Sequence, residues 1–311
     1  MPGIGIISNP RSRQNKKKPE RMERLAYILG QEGAAQQTDS LESLARAAEH
    51  FKKERIDVLA INGGDGTNHV TLTAFIQVYG DTPLPMIALL RGGTMNTTAN
   101  GLGVMHASPA RILTNLVERY AAGETLQTAQ HHILKIGDQY GFIFGNGVVY
   151  NFLEIYYAAG SPPTPATAAK VLAQGIASAV VNGRTIQRMF RRFEARVTAD
   201  GEPWAQHDFI TLSASTQPEV GLGFRPFVRA QEKPGHFHVL GIFTTPFGMI
   251  AELPRIFVGR PMHRHRVIDQ VVRRLEIQGD GAIEYTIDGD NYTARDRLVV
   301  ECGPLLTLVQ R

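Results

Sequence analysis

The chain has 311 residues, 43% of them hydrophobic and 20% charged, which is typical of a globular protein large enough for about two domains. Its formal charge of +4 is compatible with anionic ligands or anionic membrane surfaces and does not choose between them. The single cysteine, Cys302, excludes an internal disulfide and disfavours a structural zinc site. No apolar run reaches transmembrane length and no signal-peptide pattern is present, so we expect a cytoplasmic protein.

Strand and helix signals alternate over residues 1–126, which we predict to form one domain. Alternation of this kind favours parallel strands in an open sheet covered by helices. The predicted strands are residues 3–8, 57–61 and 86–90; the predicted helices are residues 19–33, a second one capped by Asp39 or Ser40 and ending near 53, residues 70–79, and one opened by Ser108 and Pro109.

Residues 127–302 differ in pattern, because apolar and polar residues alternate in short runs separated by turn signals. This predicts a second domain, a mainly antiparallel β-sandwich, with helical insertions at about residues 164–190 and 246–258. Residues 303–311 are expected to pack back on the first domain.

Two glycine-rich loops follow predicted strands in the first domain. The stretch NGGDGTNHV (residues 62–70) places Gly63, Gly64 and Gly66 where a backbone can approach phosphate oxygens, with Thr67 as a hydroxyl donor. Asp65 would act through a magnesium ion, since a carboxylate alone repels phosphate. The second loop, RGGTMNTTANGLG, offers Thr94 and Asn96. An ordinary helix-capping turn explains either loop alone, and Asn96 is also a favoured cap.

The order of these motifs resembles the diacylglycerol-kinase catalytic domain, a family of bacterial lipid kinases, sphingosine kinases and ceramide kinases distantly related to NAD kinases. The resemblance runs from NPRS (residues 9–12) through Thr38, GGDGT and GGTMN, and Leu102-Gly103 to the late DGD at residues 288–290. It implies a Rossmann-like open α/β domain of the NAD kinase and diacylglycerol kinase type, followed by the β-rich domain that receives the lipid.

What the resemblance implies is transfer of phosphate from ATP, with Mg²⁺, to the hydroxyl of a membrane lipid. Asp65 is then the carboxylate linked to the metal. Asp288 is the candidate general base and Asp290 the second choice or an orienting partner, although Asp-Gly between alternating runs also predicts a hairpin turn. The residues implied in nucleotide binding are Asn9, Arg11, Ser12, Arg13, Thr38, Gly63, Gly64, Asp65, Gly66, Thr67, Thr94 and Asn96.

Departures from the family pattern keep other functions open. Asn68, His69 and Val70 stand where the family has an apolar residue and Asn-Glu, Arg13 replaces a glycine, and Asp290 replaces a glutamate. The segment PGHF (residues 234–237) stands where many bacterial members hold a structural magnesium, which we therefore do not expect. The alternatives are a soluble NAD kinase-like enzyme and a non-catalytic nucleotide- or lipid-binding regulator. Diacylglycerol, ceramide and sphingoid bases all remain possible acceptors.

Two basic and apolar segments suit contact with an anionic membrane, and we expect peripheral association. One contains Arg184, Arg188, Arg191 and Arg192, and the other is residues 246–260. Both could instead pack on the β-rich domain and leave a solvated arginine face. No feature indicates nucleic-acid binding, a homodimer is possible, and the histidines are not expected to bind metal.

Overall fold

The structure is a computed structural model that describes residues 3–159, 164–180 and 183–310. It divides into two compact units: Met1–His131 with Leu305–Arg311, and His132–Pro304. Among the described residues no helix is both long and apolar enough to cross a bilayer.

The first unit alternates strands with helices. Its elements are β1 Ile4–Ser8, α1 Arg13–Lys17, α2 Glu20–Leu29, β2 Gly33–Gln37, α3 Leu41–Glu54, β3 Val58–Asn62, α4 Asp65–Tyr79, β4 Met86–Leu89, α5 Thr97–Gly101 and α6 Pro109–Ala121.

The sheet of the first unit is parallel, in the order β2-β1-β3-β4. Leu308 of the returning C-terminal segment pairs parallel with Ile87 of β4. Every residue of β1 and β3 is buried, because helices cover both faces of such a sheet. The carboxyl ends of β1 to β4 therefore share one edge, where the loops of interest lie.

Local signals explain where the helices of this unit begin. Ser40 caps α3, accepting a hydrogen bond from Ser43 N at 3.2 Å, and Ser43 completes a capping box. Ser108 caps α6, with Pro109 at its first position. Both predicted caps are confirmed, whereas β2 was not predicted.

The second unit is mainly antiparallel. Its elements are β5 Thr128–Ile136, β6 Gln139–Gly141, β7 Ile143–Asn146, α7 Val148–Ala158, α8 Pro165–Val180, α9 Arg184–Met189, β8 Phe193–Glu194, β9 Arg196–Ala199, β10 Glu202–Pro203, β11 Asp208–Phe209, β12 Thr211–Ser215, β13 Phe237–Ile242, α10 Pro246–Phe257, a 3₁₀ turn Arg264–Arg266, β14 Val267–Val272, β15 Arg274–Ile287 and β16 Asp290–Val309. β5 begins, and β16 ends, in the first unit.

The strands β14-β13-β12-β7-β15-β16 form an antiparallel ladder in that order. The first half of β15 pairs with β9 and its end pairs with β7, with a register shift between Gln278 and Ala282. Side chains from β7, β12, β13 and β15 form the main core with Trp204. The predicted fold class, a parallel α/β unit followed by a mainly antiparallel β unit, is confirmed. Helix α7 was not predicted.

Candidate active site

The loop after β3 is held by the loop after β1. Gly63 and Gly64 follow β3, and α4 begins at Asp65. The side-chain amide of Asn9 donates a hydrogen bond to Thr67 Oγ1 at 3.0 Å. A Cβ on Gly63 would lie 2.2 Å from Thr67 Cβ, so glycine leaves the room that the threonine occupies. Gly66, half-buried, lies in the first turn of α4.

The loops after β3 and β4 press against each other through their glycines. A Cβ on Gly93 would lie 2.2 Å from Gly64 Cα, and one on Gly92 would lie 2.3 Å from Asn62 Oδ1. Since Cβ atoms do not approach other atoms so closely, packing of loop on loop already requires glycine here. The sequence suggested access for phosphate as the reason, and the structure adds this second one.

Asp65 links the same two loops. Its Oδ2 accepts a hydrogen bond from Thr97 N at 3.1 Å and its Oδ1 accepts one from Thr98 N at 2.9 Å, so it caps the start of α5. Burial raises the pKa of Asp65 and the two amide hydrogen bonds oppose that rise. A carboxylate has about four lone-pair positions, so acceptor capacity remains beyond these two bonds.

Asp65 alone supplies too few oxygen atoms to hold magnesium, so a bound phosphate would have to supply others. Within the described part of the chain, no group of three His, Cys, Asp or Glu side chains is arranged to hold a metal. Magnesium keeps several waters and is often bound by one or two protein carboxylates together with substrate phosphates. Asp65 and its remaining acceptor capacity are consistent with that second kind of site.

Buried side-chain amides beneath the loops are not predicted from the sequence. Asn62 Nδ2 donates to Ser8 Oγ at 3.1 Å, and Asn15 Nδ2 donates to Asn9 O at 2.9 Å. Gln14 Nε2, in α1, donates a hydrogen bond to the carbonyl of Gly93 and so joins α1 to the loop after β4. An isolated Asn or Gln carries no distinctive pattern, so only the fold reveals that these residues cooperate.

Ser12 has an unsatisfied hydroxyl. Its Oγ is buried with no hydrogen-bond partner, although a buried hydroxyl without a partner is costly. The backbone N of Ser12 donates a hydrogen bond to Asn9 O, so Ser12 lies close to Asn9, the residue that contacts Thr67. A ligand oxygen would satisfy this hydroxyl.

The other predicted nucleotide-binding residues are spread along the same sheet edge. Arg11 is exposed, and its Nη2 lies 3.8 Å from Asp39 Oδ2. Thr38 is buried just after β2, and its backbone N donates a hydrogen bond to Ser8 O. Thr94 is half-buried. Asn96 has a left-handed backbone (φ 49°) and closes its own loop, since Gly93 N donates to Asn96 Oδ1 at 3.0 Å. The side chain of Arg13 lies outside the described residues.

In the second unit, the Asp-Gly-Asp segment is a hairpin turn. Ile287 pairs with Asp290, and Asp288 and Gly289 between them have φ of 48° and 95°. Phe142 N donates to both carboxylate oxygens of Asp288, at 3.1 and 3.0 Å, and Ile143 N donates to Oδ1 at 2.8 Å. Asp288 is buried, so its carboxylate holds the turn against β6 and β7. This geometry suits a positioning role better than the predicted role of general base.

Helix α7 supports the opposite side of this turn. Tyr157 Oη donates to Gly289 O at 2.8 Å, and Asn291 Nδ2 donates to Glu154 Oε1 at 2.6 Å. Burial, together with the charge of Asp290, raises the pKa of Tyr292 to about 12. Asp290 itself is half-buried at the start of β16.

Comparison with known proteins agrees with this architecture. The family model of the diacylglycerol kinase catalytic domain matches residues 4–127, so the resemblance drawn from the motifs is confirmed over that part of the chain. No curated protein matched the sequence.

Solved structures from Bacillus anthracis str. Sterne extend the likeness to the second unit. One is described as a diacylglycerol kinase (TM-score 0.65) and two as proposed diacylglycerol kinases (TM-scores 0.73 and 0.68). In each case the identity is 14%, and the match covers 99% of this chain and 97% of the other. At that identity the likeness shows a shared fold.

Proposed function

We propose that the protein is a lipid kinase that transfers the γ-phosphate of ATP to the hydroxyl of a membrane lipid. The observation that carries the proposal is the interlocked pair of glycine loops, joined by Asp65 at the carboxyl edge of a parallel sheet. The family match over residues 4–127 supports the same class of reaction. Diacylglycerol is the first acceptor to test, with ceramide and sphingoid bases next.

In the first unit, the triphosphate would lie along the loops after β1, β3 and β4. Ser12 Oγ and Thr67 offer hydroxyls, and the backbone at Gly64 and Gly93 is free of side chains. Asp65 would hold magnesium, which when bound neutralises charge that develops on the phosphates. Phosphoryl transfer needs positioning and charge stabilisation more than covalent help from the protein.

In the second unit, we assign the proton acceptor to Asp290 and the positioning role to Asp288. Two backbone N–H groups, those of Phe142 and Ile143, donate to both oxygens of the buried Asp288 carboxylate, so this side chain is already committed to holding the turn. Asp290 follows Gly289 in sequence and is the first residue of β16.

The proposed step balances as a simple displacement. The lipid hydroxyl oxygen bonds to the γ-phosphorus as the bond from that phosphorus to the β,γ-bridging oxygen breaks. ADP leaves with the bond's electron pair, and the hydroxyl proton passes to the carboxylate of Asp290.

The test is transfer of labelled γ-phosphate to diacylglycerol, monoacylglycerol, ceramide, sphingosine and a polyprenol in mixed micelles, with NAD as a soluble acceptor. Asp290→Asn is compared with Asp280→Asn, a matched change at an exposed position of β15. We expect a labelled lipid that disappears with Asp290→Asn alone. Label on NAD alone, or on no acceptor despite ATP binding, would contradict the proposal.

A further inference from the structure

Helix α10 buries Ile256 in a hydrophobic core, but it also carries large apolar side chains on its outer side. Glu252 and Arg255 are its only charged residues, and Glu252 is completely buried. Phe247 is 60% exposed, Phe257 55% and Val258, the next residue, 64%. A surface helix of a globular protein normally buries its apolar stripe and exposes its charges.

The exposed residues form one continuous stripe. Phe247, Ala251, Pro254 and Val258 are all exposed, and their spacing of four, three and four residues places them on one side of the helix. Phe257 lies beside them, with its ring centroid 5.5 Å from that of Phe224 in an edge-on contact. A contiguous apolar surface of this kind marks a site of interaction.

A basic loop follows the stripe directly. Residues 246–266 contain four arginines and one acid, the buried Glu252, which leaves a charge of +3 without the histidines. Arg260, Arg264 and His265 are exposed. The loop therefore presents positive charge next to the apolar stripe, with no exposed carboxylate of its own.

Glu252 holds this loop against the helix. Its Oε1 lies 2.7 Å from His263 Nδ1 and accepts a hydrogen bond from Arg266 Nη1 at 3.0 Å. The same arginine atom donates to Gly248 O at 3.0 Å. The buried acid thus fixes the arginine-rich turn beside the exposed stripe, which keeps the two features together.

We propose that this surface, the apolar stripe of α10 with the basic loop 260–266, docks the protein on an anionic lipid bilayer. Apolar side chains beside arginines match a bilayer, which offers hydrocarbon beneath a negatively charged surface. The inference rests on the proposed function, since a lipid kinase must reach an acceptor that lies in a membrane. Its residues are separate from those proposed for catalysis.

The other basic segment is a weaker candidate for the same role. In α9 the apolar residues Ile186 and Met189 are buried within the protein. Arg192 pairs with Asp208, Nε to Oδ2 at 2.7 Å. The apolar side chains of α9 are thus already packed, whereas α10 keeps large apolar groups exposed.

The first test is sedimentation of the full chain with vesicles of phosphatidylcholine alone or of equal parts phosphatidylcholine and phosphatidylglycerol. Phe247→Ser with Val258→Ser should weaken binding to the anionic vesicles about tenfold, because burial of both side chains in the bilayer is lost. Arg260→Gln and Arg264→Gln should each weaken it about fivefold and reduce its salt dependence. Tyr27→Ser, at an 87% exposed position of α2, is the matched control and should bind normally.

The second test asks whether the stripe itself enters the bilayer. Trp204, the only tryptophan, is buried, so Phe257→Trp introduces a surface reporter. Vesicles with brominated acyl chains should quench its fluorescence. Vesicle binding without quenching, or normal binding by the Phe247→Ser/Val258→Ser variant, would overturn the proposal. So would a change in oligomeric state of that variant in place of a binding defect, since the stripe would then join copies of the chain.

These outcomes separate the docking surface from catalysis. Transfer to a short-chain, micelle-dispersed acceptor does not need a bilayer, so the stripe variant should keep that activity. A protein that docks but transfers no phosphate would contradict the proposed function alone. One that transfers phosphate but ignores vesicles would contradict docking alone.

Discussion

Asp65 and Thr98 are joined by a hydrogen bond of 2.9 Å from the threonine N–H to the carboxylate, although 33 residues separate them in sequence. The carboxylate that motif comparison assigns to magnesium thus also caps α5. Under the proposed function, magnesium binding and loop structure would therefore depend on the same side chain.

Asp65→Asn should lower both the stability of the protein and its phosphate-transfer activity. The asparagine keeps one acceptor oxygen for Thr97 or Thr98 but loses the other acceptor and the charge. We expect about 1 kcal/mol less stability, as for loss of a helix cap, and at least about a 100-fold loss of transfer. Thermal unfolding and turnover measure the two effects, with the exposed Asp81→Asn as control. Normal turnover in Asp65→Asn would remove the argument for a magnesium-linked carboxylate.

Gly93→Ala should separate the two glycine loops. The new Cβ would meet Gly64 Cα at 2.2 Å, and backbone cannot rotate away as a side chain can. We expect the free energy of unfolding to fall by about 1–3 kcal/mol and ATP to bind more weakly. Denaturant unfolding and nucleotide titration measure these two effects. At Gly279 an added Cβ would find its nearest atom at 3.5 Å, so Gly279→Ala is the control. Equal behaviour of the two variants would contradict the tight contact.

Asp288→Asn distinguishes a positioning residue from a base. Asn-Gly suits the same turn as Asp-Gly, so the backbone is preserved while the charged acceptor of hydrogen bonds from two backbone N–H groups is lost. We expect a loss of about 1–3 kcal/mol in stability, with turnover reduced less than by Asp290→Asn. The reverse order, with full stability and no turnover in Asp288→Asn, would return the role of base to Asp288.

Tyr157→Phe tests the support that α7 gives to the turn. It removes only the hydroxyl that donates to Gly289 O at 2.8 Å. Because Tyr157 is 44% exposed, we expect less than about 1 kcal/mol of destabilisation. Turnover should fall while KM for ATP is kept, and Tyr27→Phe should change neither. An unchanged turnover would show that the hydroxyl does not position the turn.

Glu252 makes stability depend on pH. Burial alone would raise its pKa, but hydrogen bonds from His263 and the charges of His263 and Arg266 hold the pKa below the ordinary 4.5. The ionised form therefore stabilises the fold at neutral pH, and this contribution disappears as the pH falls through the folded-state pKa.

Glu252→Gln should accordingly be less stable than wild type by about 1 kcal/mol above pH 5, a modest value because His263 is half-exposed. The difference should close in acid, as followed by denaturant unfolding across pH. A difference that grows as the pH falls would contradict this assignment.

Local signals predicted much of the fold, and long-range contacts account for the rest. β1 and β3 are continuous apolar runs, and Ser40 and Ser108 are cap residues at helix starts, so each could be predicted from neighbouring residues. β2 has the sequence GAAQQ, which lacks β-branched residues, and α7 is apolar around most of its circumference. Neither shows the usual period.

The site shows the same division. The two glycine loops were found as motifs because their residues are contiguous. The capping of α5 by Asp65, the link from Gln14 to Gly93 and the amides that hold Asp288 join residues distant in sequence. The Asp-Gly pattern indicated both a turn and a base. The geometry confirms the turn, and the base stays a prediction.

The bond between Phe142 and Asp288 spans 146 residues, and this has a consequence for folding. Contacts of such sequence separation form late, because a long loop must close first. The Asp-Gly-Asp turn can therefore adopt its final geometry only after β6, β7 and the C-terminal hairpin have met. Under the proposed function, acquisition of activity during refolding should lag behind formation of the first unit's helices, since the fold of the second unit depends on the last strands of the chain.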